Sequence, residues 1–336
     1  MTALNFSPLK SMVLRKLIRR NATYRDMSER KWVLCPSETR VDPPAVYFEE
    51  DLERVTAVMH DTTEAQEAAR IKGGRKEHGA TVAYSIKDVM LIDGALYKGS
   101  MKHVLVPKTR RLVTPELPTL GSRTLACTLY GSMYFGHWLS DDLTLHLAAD
   151  EPVIAARNSY SQESDYCKLF NIEQTRVARA HFKRLFVLDD VGQNSYKQRR
   201  YEVLRSRLQV KSAGNRLVYI RRGSTRALAN TQEVEDYLRS QGFAILDPDK
   251  ESAAQMASGL AGAKLVVGVE GSHLVPAVYT ADAICVIQPP DRFNNVIKDY
   301  TDCLGLRYAF TVGTAVPGGF SVELDRLKKI IARLNA

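Results

Sequence analysis

The sequence predicts an α/β protein whose second half forms a Rossmann-like domain. Short apolar runs alternate there with helical segments, the pattern that a parallel sheet requires. One run, 265–267, opens into Gly268-Val269-Glu270-Gly271-Ser272-His273, a strand leading through a glycine turn to a helix start. At 336 residues, 45% hydrophobic and 25% charged, the chain is long enough for two domains with separate cores.

Residues 8–21 read as a basic amphipathic helix. Leu9, Met12, Val13 and Leu17 share a face expected to pack on the domain, with Lys10, Arg15, Lys16, Arg19 and Arg20 in solvent. The alternative is peripheral contact with an anionic membrane. From 31 to about 118 strands predominate, with apolar pieces at 31–35 and 45–48. The alternating stretch 81–106 predicts hairpins, turning at Asp93-Gly94 and Lys98-Gly99. The polar, glycine-rich stretch 72–79 is expected to be a loop.

Gly136 precedes an expected helix to about 149, with Leu139, Leu143 and Leu147 facing the core. Strands at 152–155 and 184–188 flank a helix at 161–170, and 194–210 is a long basic helix followed by a linker at 211–215. These elements make an N-terminal domain over 1–210. Beyond it, strands are expected at 217–220, 244–246, 265–267, 284–287 and 308–312. Helices at 231–240, 252–261, 273–280 and 295–303 separate them, giving a second domain over 211–320. An amphipathic helix within 321–336 is expected to pack across both.

No apolar run approaches the length that spans a bilayer, and the N-terminus lacks the apolar core of a secretory signal. Cys35, Cys127, Cys167, Cys285 and Cys303 match no zinc spacing, so free thiols in the reducing cytoplasm are expected. The formal charge of +9 favours an anionic partner.

Where that anion binds is suggested by two loops. Ligands of such sheets sit beyond the carboxyl ends of the strands. There the strand at 217–220 delivers Arg221, Arg222 and Arg226, and the glycine turn delivers Gly271, Ser272 and His273. Guanidinium groups stay charged and hold diphosphate oxygens in pairs. Ser272 is read as a helix N-cap and Asn230 as another. The loop 288–292 is a candidate wall of the same pocket. Asp247-Pro248-Asp249 reads as a strand-ending turn rather than a metal site. In the first domain His137 and Asp141, one helical turn apart, form a candidate acid/base pair, with a surface ion pair as the bland alternative.

Other chemistries lack their motifs. There is no phosphate-binding Gly-x-x-x-x-Gly-Lys-Ser/Thr loop, no Gly-x-Ser-x-Gly elbow and no Gly-x-Gly-x-x-Gly fingerprint. Basic charge alone does not make a nucleic-acid reader, and no nucleic-acid partner is expected.

Together these segments resemble glycosyltransferase family 61, which includes capsular polysaccharide transferases. Phe135-Gly136-His137-Trp138-Leu139-Ser140-Asp141 is similar to the family's Tyr-x-His-Trp-Leu-x-Asp helix. Arg221/Arg222, Arg226, Asn230 and Glu233 resemble its Arg-x-x-x-Arg-x-x-Asn-x-x-Glu segment, with Gly242-Phe243, Pro248 and Gln255 at similar intervals. Residues 268–274 align in frame with its Gly-x-His-Gly-Ala-Gly-Leu turn. The resemblance covers about 120–315. Departures are Glu270 where many relatives have His, His273 for a Gly, Tyr134 for an Asn and Thr144 for a Pro.

The resemblance implies a GT-B-like architecture, two Rossmann-like domains facing across a cleft after a β-hairpin-rich start. It implies inverting, metal-independent transfer of a sugar from a nucleotide donor, most simply UDP-linked, to a glycan or lipid-linked acceptor in polysaccharide biosynthesis. No cofactor or metal is expected beyond that donor. Arg221, Arg222, Arg226, Asn230, Gly271, Ser272 and His273 would hold the nucleotide, and Asp141, assisted by His137, would be the base. Glu270 is a rival base. Its presence in place of His also keeps open a non-catalytic nucleotide-sugar or polyanion-binding protein. The expected location is cytoplasmic, with a peripheral position at the inner membrane face as a further expectation.

Overall fold

The computed structural model describes residues 4–107, 112–208, 214–223 and 225–335. Ser224 and most of the expected linker at 211–215 lie outside the described residues, as does the end of the basic helix beyond 208. The chain forms two compact mixed α/β units. One comprises Met1–Glu38 and Gly79–Arg200, the other Thr39–His78 and Tyr201–Ala336.

The first unit contains helix α1 (Ser7–Ile18) and strands β1 (Arg30–Cys35), β2 (Thr81–Ile92), β3 (Ala95–Lys98) and β4 (Met101–Val104). It continues with β5 (Thr119–Leu125), β6 (Pro152–Ala155), β7 (Thr175–Val177) and β8 (Arg179–Asp189). They make one mixed sheet in the order β7–β6–β5–β8–β2–β3–β4, with β1 also on β2. The pairs β7–β6, β6–β5 and β5–β8 are parallel, and the remainder antiparallel. The hairpins follow from their turns: Asp93 and Gly94 both take positive φ, 46° and 85°, the type I′ geometry whose twist matches the strands. Ile86, Val89, Leu91, Phe182 and Leu185 fill the core from the two long central strands.

Helix α1 differs from expectation. Pro8 and Ser11 are its buried residues, and the Ser11 hydroxyl donates to the Met101 carbonyl at 3.0 Å. Val13 and Leu17 of the expected packing face point outward instead. Small side chains at positions 8 and 11 let the helix lie close to β4, and only Leu9 and Met12 of the predicted stripe are half-buried.

Beyond β5 the chain turns through Leu129–Met133 and Phe135–His137, opens into a π-helical turn at Trp138–Asp142 and closes as Leu143–Ala148. In the last segment His146 is buried, and its Nε2 has no hydrogen-bond partner among the described residues. Burial lowers its pKa to about 4. A depressed folded-state pKa contributes stability above the unfolded value near 6.5, and that contribution is lost as pH falls from there toward 4. Denaturant unfolding of the wild type is therefore expected to lose about 2 kcal/mol from this site between pH 7.5 and 5, a loss absent in His146→Leu.

The second unit contains β9 (Arg216–Ile220), α2 (Thr231–Ser240), β10 (Phe243–Leu246), α3 (Ala253–Leu260) and β11 (Ala263–Val269). After it come β12 (Ala283–Gln288), α4 (Val296–Leu304), β13 (Arg307–Val312) and α5 (Leu324–Asn335). The five strands are all parallel, in the order β10–β9–β11–β12–β13. They are near-continuous apolar runs because helices cover both faces of such a sheet. Leu327, Ile330 and Leu334 of α5 join Val267, Val269 and Ile287 in its core.

Residues 39–78 belong to this second unit. The stretch 72–79, expected as a loop, is largely strand: Gly74–His78 pairs with Glu38–Asp42. The buried Asp42 carboxylate accepts from Arg40 Nε at 2.8 Å and lies 3.7 Å from Lys76 Nζ, so this polar ribbon carries buried charge pairing in place of apolar alternation. The expected strand at 45–48 is a single bridge, Val46 to Ala309. Four cysteines are buried and Cys167 is half-buried, all as free thiols. Among the described residues, no helix is long and apolar enough to cross a membrane.

Candidate functional site

In the second unit, the strand order runs outward in both directions from β9 and β11. The loops leaving these neighbours go opposite ways, which opens a crevice at their carboxyl ends. The loop after β9 brings Arg222 and Arg226, that after β11 brings Glu270 to His273, and that after β12 brings Arg292 and Asn294. Tertiary structure thus gathers three guanidinium groups around one carboxylate.

The contacts are specific. Glu270 is buried, and its Oε2 accepts from Arg226 Nη1 at 2.8 Å and lies 3.5 Å from Arg292 Nε. Its Oε1 accepts from Asn294 Nδ2 at 3.1 Å. Arg222 Nη1 stands 2.6 Å from His273 Nδ1, while its Nε and Nη2 donate to Thr225 O and Oγ1 at 3.1 and 3.0 Å. Burial and the Arg222 and Arg226 charges hold His273 well below the usual imidazole range, so the ring is neutral. A neutral ring accepting at Nδ1 carries its proton on Nε2.

Three charges of one sign against one of the other leave this group electropositive. Burial first, then repulsion from Arg226 and Arg292, lower Arg222 to about 10, with Glu270 opposing them. Arg226 is lowered as well, chiefly by burial, with Arg292 adding to it and Glu270 again opposing. Arg226 Nε, Arg292 Nε and His273 Nε2 are buried and have no hydrogen-bond partner among the described residues. Leaving a buried donor unpaired costs about 1–3 kcal/mol. Three such donors on neighbouring loops, in an electropositive crevice, are what a multiply charged oxyanion would satisfy.

Backbone geometry explains the glycine turn. Gly271 has φ 152°, and a Cβ there would collide with Arg222 Nη1 and crowd His273 Nδ1. Its missing side chain lets the Arg222–His273 pair lie against the loop. A Cβ on Gly268 would strike Leu274, so that glycine serves packing. Arg226 itself has φ 60°, a strained value for a side-chain-bearing residue.

Several expected contributors are placed otherwise. Arg221 is held bidentately by Glu235 of α2, both bonds 2.6 Å, which raises its pKa. Asn230 makes no capping bond. Its amide donates to Val322 O at 2.9 Å and accepts from Val322 N at 3.1 Å, fastening the start of α2 to the approach to α5. Ser272 is not an N-cap either: Gly271 holds that position, and the helix is a 3-10 turn, Ser272–Leu274, followed only by Val275–Val278. So short a helix adds little dipole, and the positive field comes from the arginines. Asp247 accepts from Arg221 at 3.5 Å, lies 3.4 Å from Lys250 and accepts the Asp249 amide at 3.2 Å, as a turn residue does.

In the first unit His137 Nδ1 lies 2.8 Å from Asp141 Oδ2. The other Asp141 oxygen accepts from Lys197 Nζ at 2.6 Å, and that buried ammonium also donates to Asp190 O at 3.1 Å. Burial, the largest influence, would raise the Asp141 carboxyl, but Lys197 and His137 together outweigh it and hold it well below the usual range. The next residue behaves oppositely: burial raises Asp142, which accepts two bonds from Thr128 at 2.9 and 3.0 Å. The two adjacent carboxyls thus divide, one fixed as an anion and one a buried acid bracing the π-turn. Arg292 completes the second unit's group from the loop 288–292, the expected pocket wall, whereas Lys197 completes the first unit's group and, as one lysine in a basic helix, carries no distinguishing pattern in sequence.

Residues 135–287 match the family model of Glycosyltransferase 61. Comparison with curated proteins gives no match. The matched region, a little under half of the 336 residues, contains His137, Asp141, Arg222, Arg226, Glu270 and His273. Over that region the chain is similar to the glycosyltransferase 61 family, a family of transferases.

Proposed function

We propose that the protein is a glycosyltransferase that works in the GT-B manner, with donor groups on the second unit and acceptor-side groups on the first. The observation that carries the reading is the cluster of Arg222, Arg226, Arg292 and His273 at the switch point of the parallel sheet. Its charge and unpaired donors suit the diphosphate of a nucleotide sugar, UDP-linked by family resemblance. During transfer the bond from the anomeric carbon to the diphosphate breaks, and the electron pair leaves on a phosphate oxygen. The guanidinium groups supply the positive charge that a divalent ion supplies in metal-dependent transferases.

His137 is the better base of the first unit's pair. Asp141 is committed to Lys197 and has lost basicity, whereas it accepts the Nδ1 proton of His137 and so fixes the tautomer with its lone pair on Nε2. The acceptor hydroxyl attacks the anomeric carbon from the face opposite the diphosphate, and its proton passes to Nε2. Glu270 acts as the counter-ion that aims Arg226 and Arg292 rather than as a base. The acceptor is a glycan or lipid-linked glycan.

The test is acceptor-dependent release of UDP from a panel of UDP-sugars. Release that rises with one class of glycan acceptor is the expected result. Diphosphate binding without turnover across broad donor and acceptor panels would favour a nucleotide-sugar-binding protein instead.

A further inference from the structure

Helix α1 is built the wrong way round for a surface helix in water. Such helices turn apolar residues to the core and polar ones outward. Here Ser11 is buried, and half-buried Arg15 reaches back to its hydroxyl, Nη1 to Oγ 3.1 Å. Outward lie Leu17 at 72% exposure, Ile18 at 54%, Val13 at 45% and Leu14 at 39%. The apolar surface continues at the helix start with exposed Phe6 and with Leu112, whose carbonyl accepts from Leu9 N at 3.2 Å. A contiguous apolar surface with that many exposed side chains marks an interaction site rather than ordinary scatter.

The charges say what covers it. Residues 7–18 contain no acidic side chain, and Lys10, Lys16 and Arg19 are exposed among the apolar residues. Twelve residues are too few to cross a bilayer, whereas a short helix of mixed leucine and lysine lies in the headgroup plane. Its apolar side chains enter the acyl boundary, and the long basic side chains extend to phosphate groups. We infer that α1 docks the protein on an anionic lipid surface, the exposed face from Val13 to Ile18 inserting and Lys10, Lys16 and Arg19 binding the headgroups.

The full chain should be sedimented with vesicles of phosphatidylcholine alone and with vesicles that also contain phosphatidylglycerol. Binding to the second kind only, weakened by salt, is expected. The double variant Val13→Glu/Leu17→Glu should lower partitioning at least about tenfold, with an unchanged melting temperature because both side chains are exposed. Lys16→Glu/Arg19→Glu should weaken it likewise. Three results would overturn the inference: no binding to phosphatidylglycerol vesicles at low salt, undiminished binding of Val13→Glu/Leu17→Glu, or a protein dimer dissolved by that variant with no vesicle binding. None of these readouts requires turnover, so failure here leaves the transferase reading standing.

Discussion

Arg226→Ala is expected to weaken UDP binding by roughly a hundredfold, the scale for removing a buried charged donor from an anion site. Glu270 keeps Asn294 and Arg292 as partners in that variant, so the loop retains a counter-charge. Arg226→Gly makes a useful companion. Both variants lose the guanidinium, but glycine relieves the positive φ of 60°, so it should be the more stable by about 1 kcal/mol while binding equally poorly. Arg222→Ala should resemble Arg226→Ala. Arg221→Ala should not: its partner Glu235 is buried, so the variant should lose stability and keep affinity for UDP. Calorimetric titration and denaturant unfolding of the four variants separate these outcomes.

His137→Ala is expected to lower kcat by roughly two to four orders of magnitude while leaving the KM for donor nearly unchanged, as loss of a general base does. The partner residue is a poorer probe. Asp141→Asn leaves the buried ammonium of Lys197 without its carboxylate, and breaking a buried pair in this way costs about 3–5 kcal/mol. A dead Asp141→Asn enzyme would therefore report unfolding as readily as chemistry. The pH behaviour separates the two roles. A folded-state pKa below the unfolded carboxylate value means that Asp141 contributes stability above that value and loses it only as pH falls further. Asp141 consequently stays ionised throughout the neutral range, so any change of activity there does not come from its titration. Full turnover of His137→Ala would remove it as the base.

What the sequence discloses is set by which forces shaped each segment. Strands of the second unit are legible because burial on both faces leaves long apolar runs, and the Asp93-Gly94 turn because only certain residues accept its backbone. The ribbon at 74–78 is not, since its residues are polar and show no apolar alternation, and it pairs with an equally polar strand at 38–42. The sequence also cannot say which of two adjacent arginines turns into the crevice. Arg221 and Arg222 differ only in whether Glu235 or His273 receives them. The reversed face of α1 is hidden for a related reason: periodicity reveals a stripe of apolar residues but not which side the domain covers. Arg222, Arg226, His273, His137, Asp141 and the loop 288–292 that carries Arg292 are readable as candidates, whereas the roles of Lys197 and Asn294 arise only when separate segments meet.

Titration calorimetry with UDP and UMP shows whether the second unit recognises a diphosphate through the arginine cluster. The second phosphate should improve wild-type affinity at least about tenfold, through charge-assisted bonds to guanidinium, and that advantage should vanish in Arg226→Ala. Equal affinity for UDP and UMP, or a diphosphate advantage that survives in both Arg222→Ala and Arg226→Ala, would contradict it.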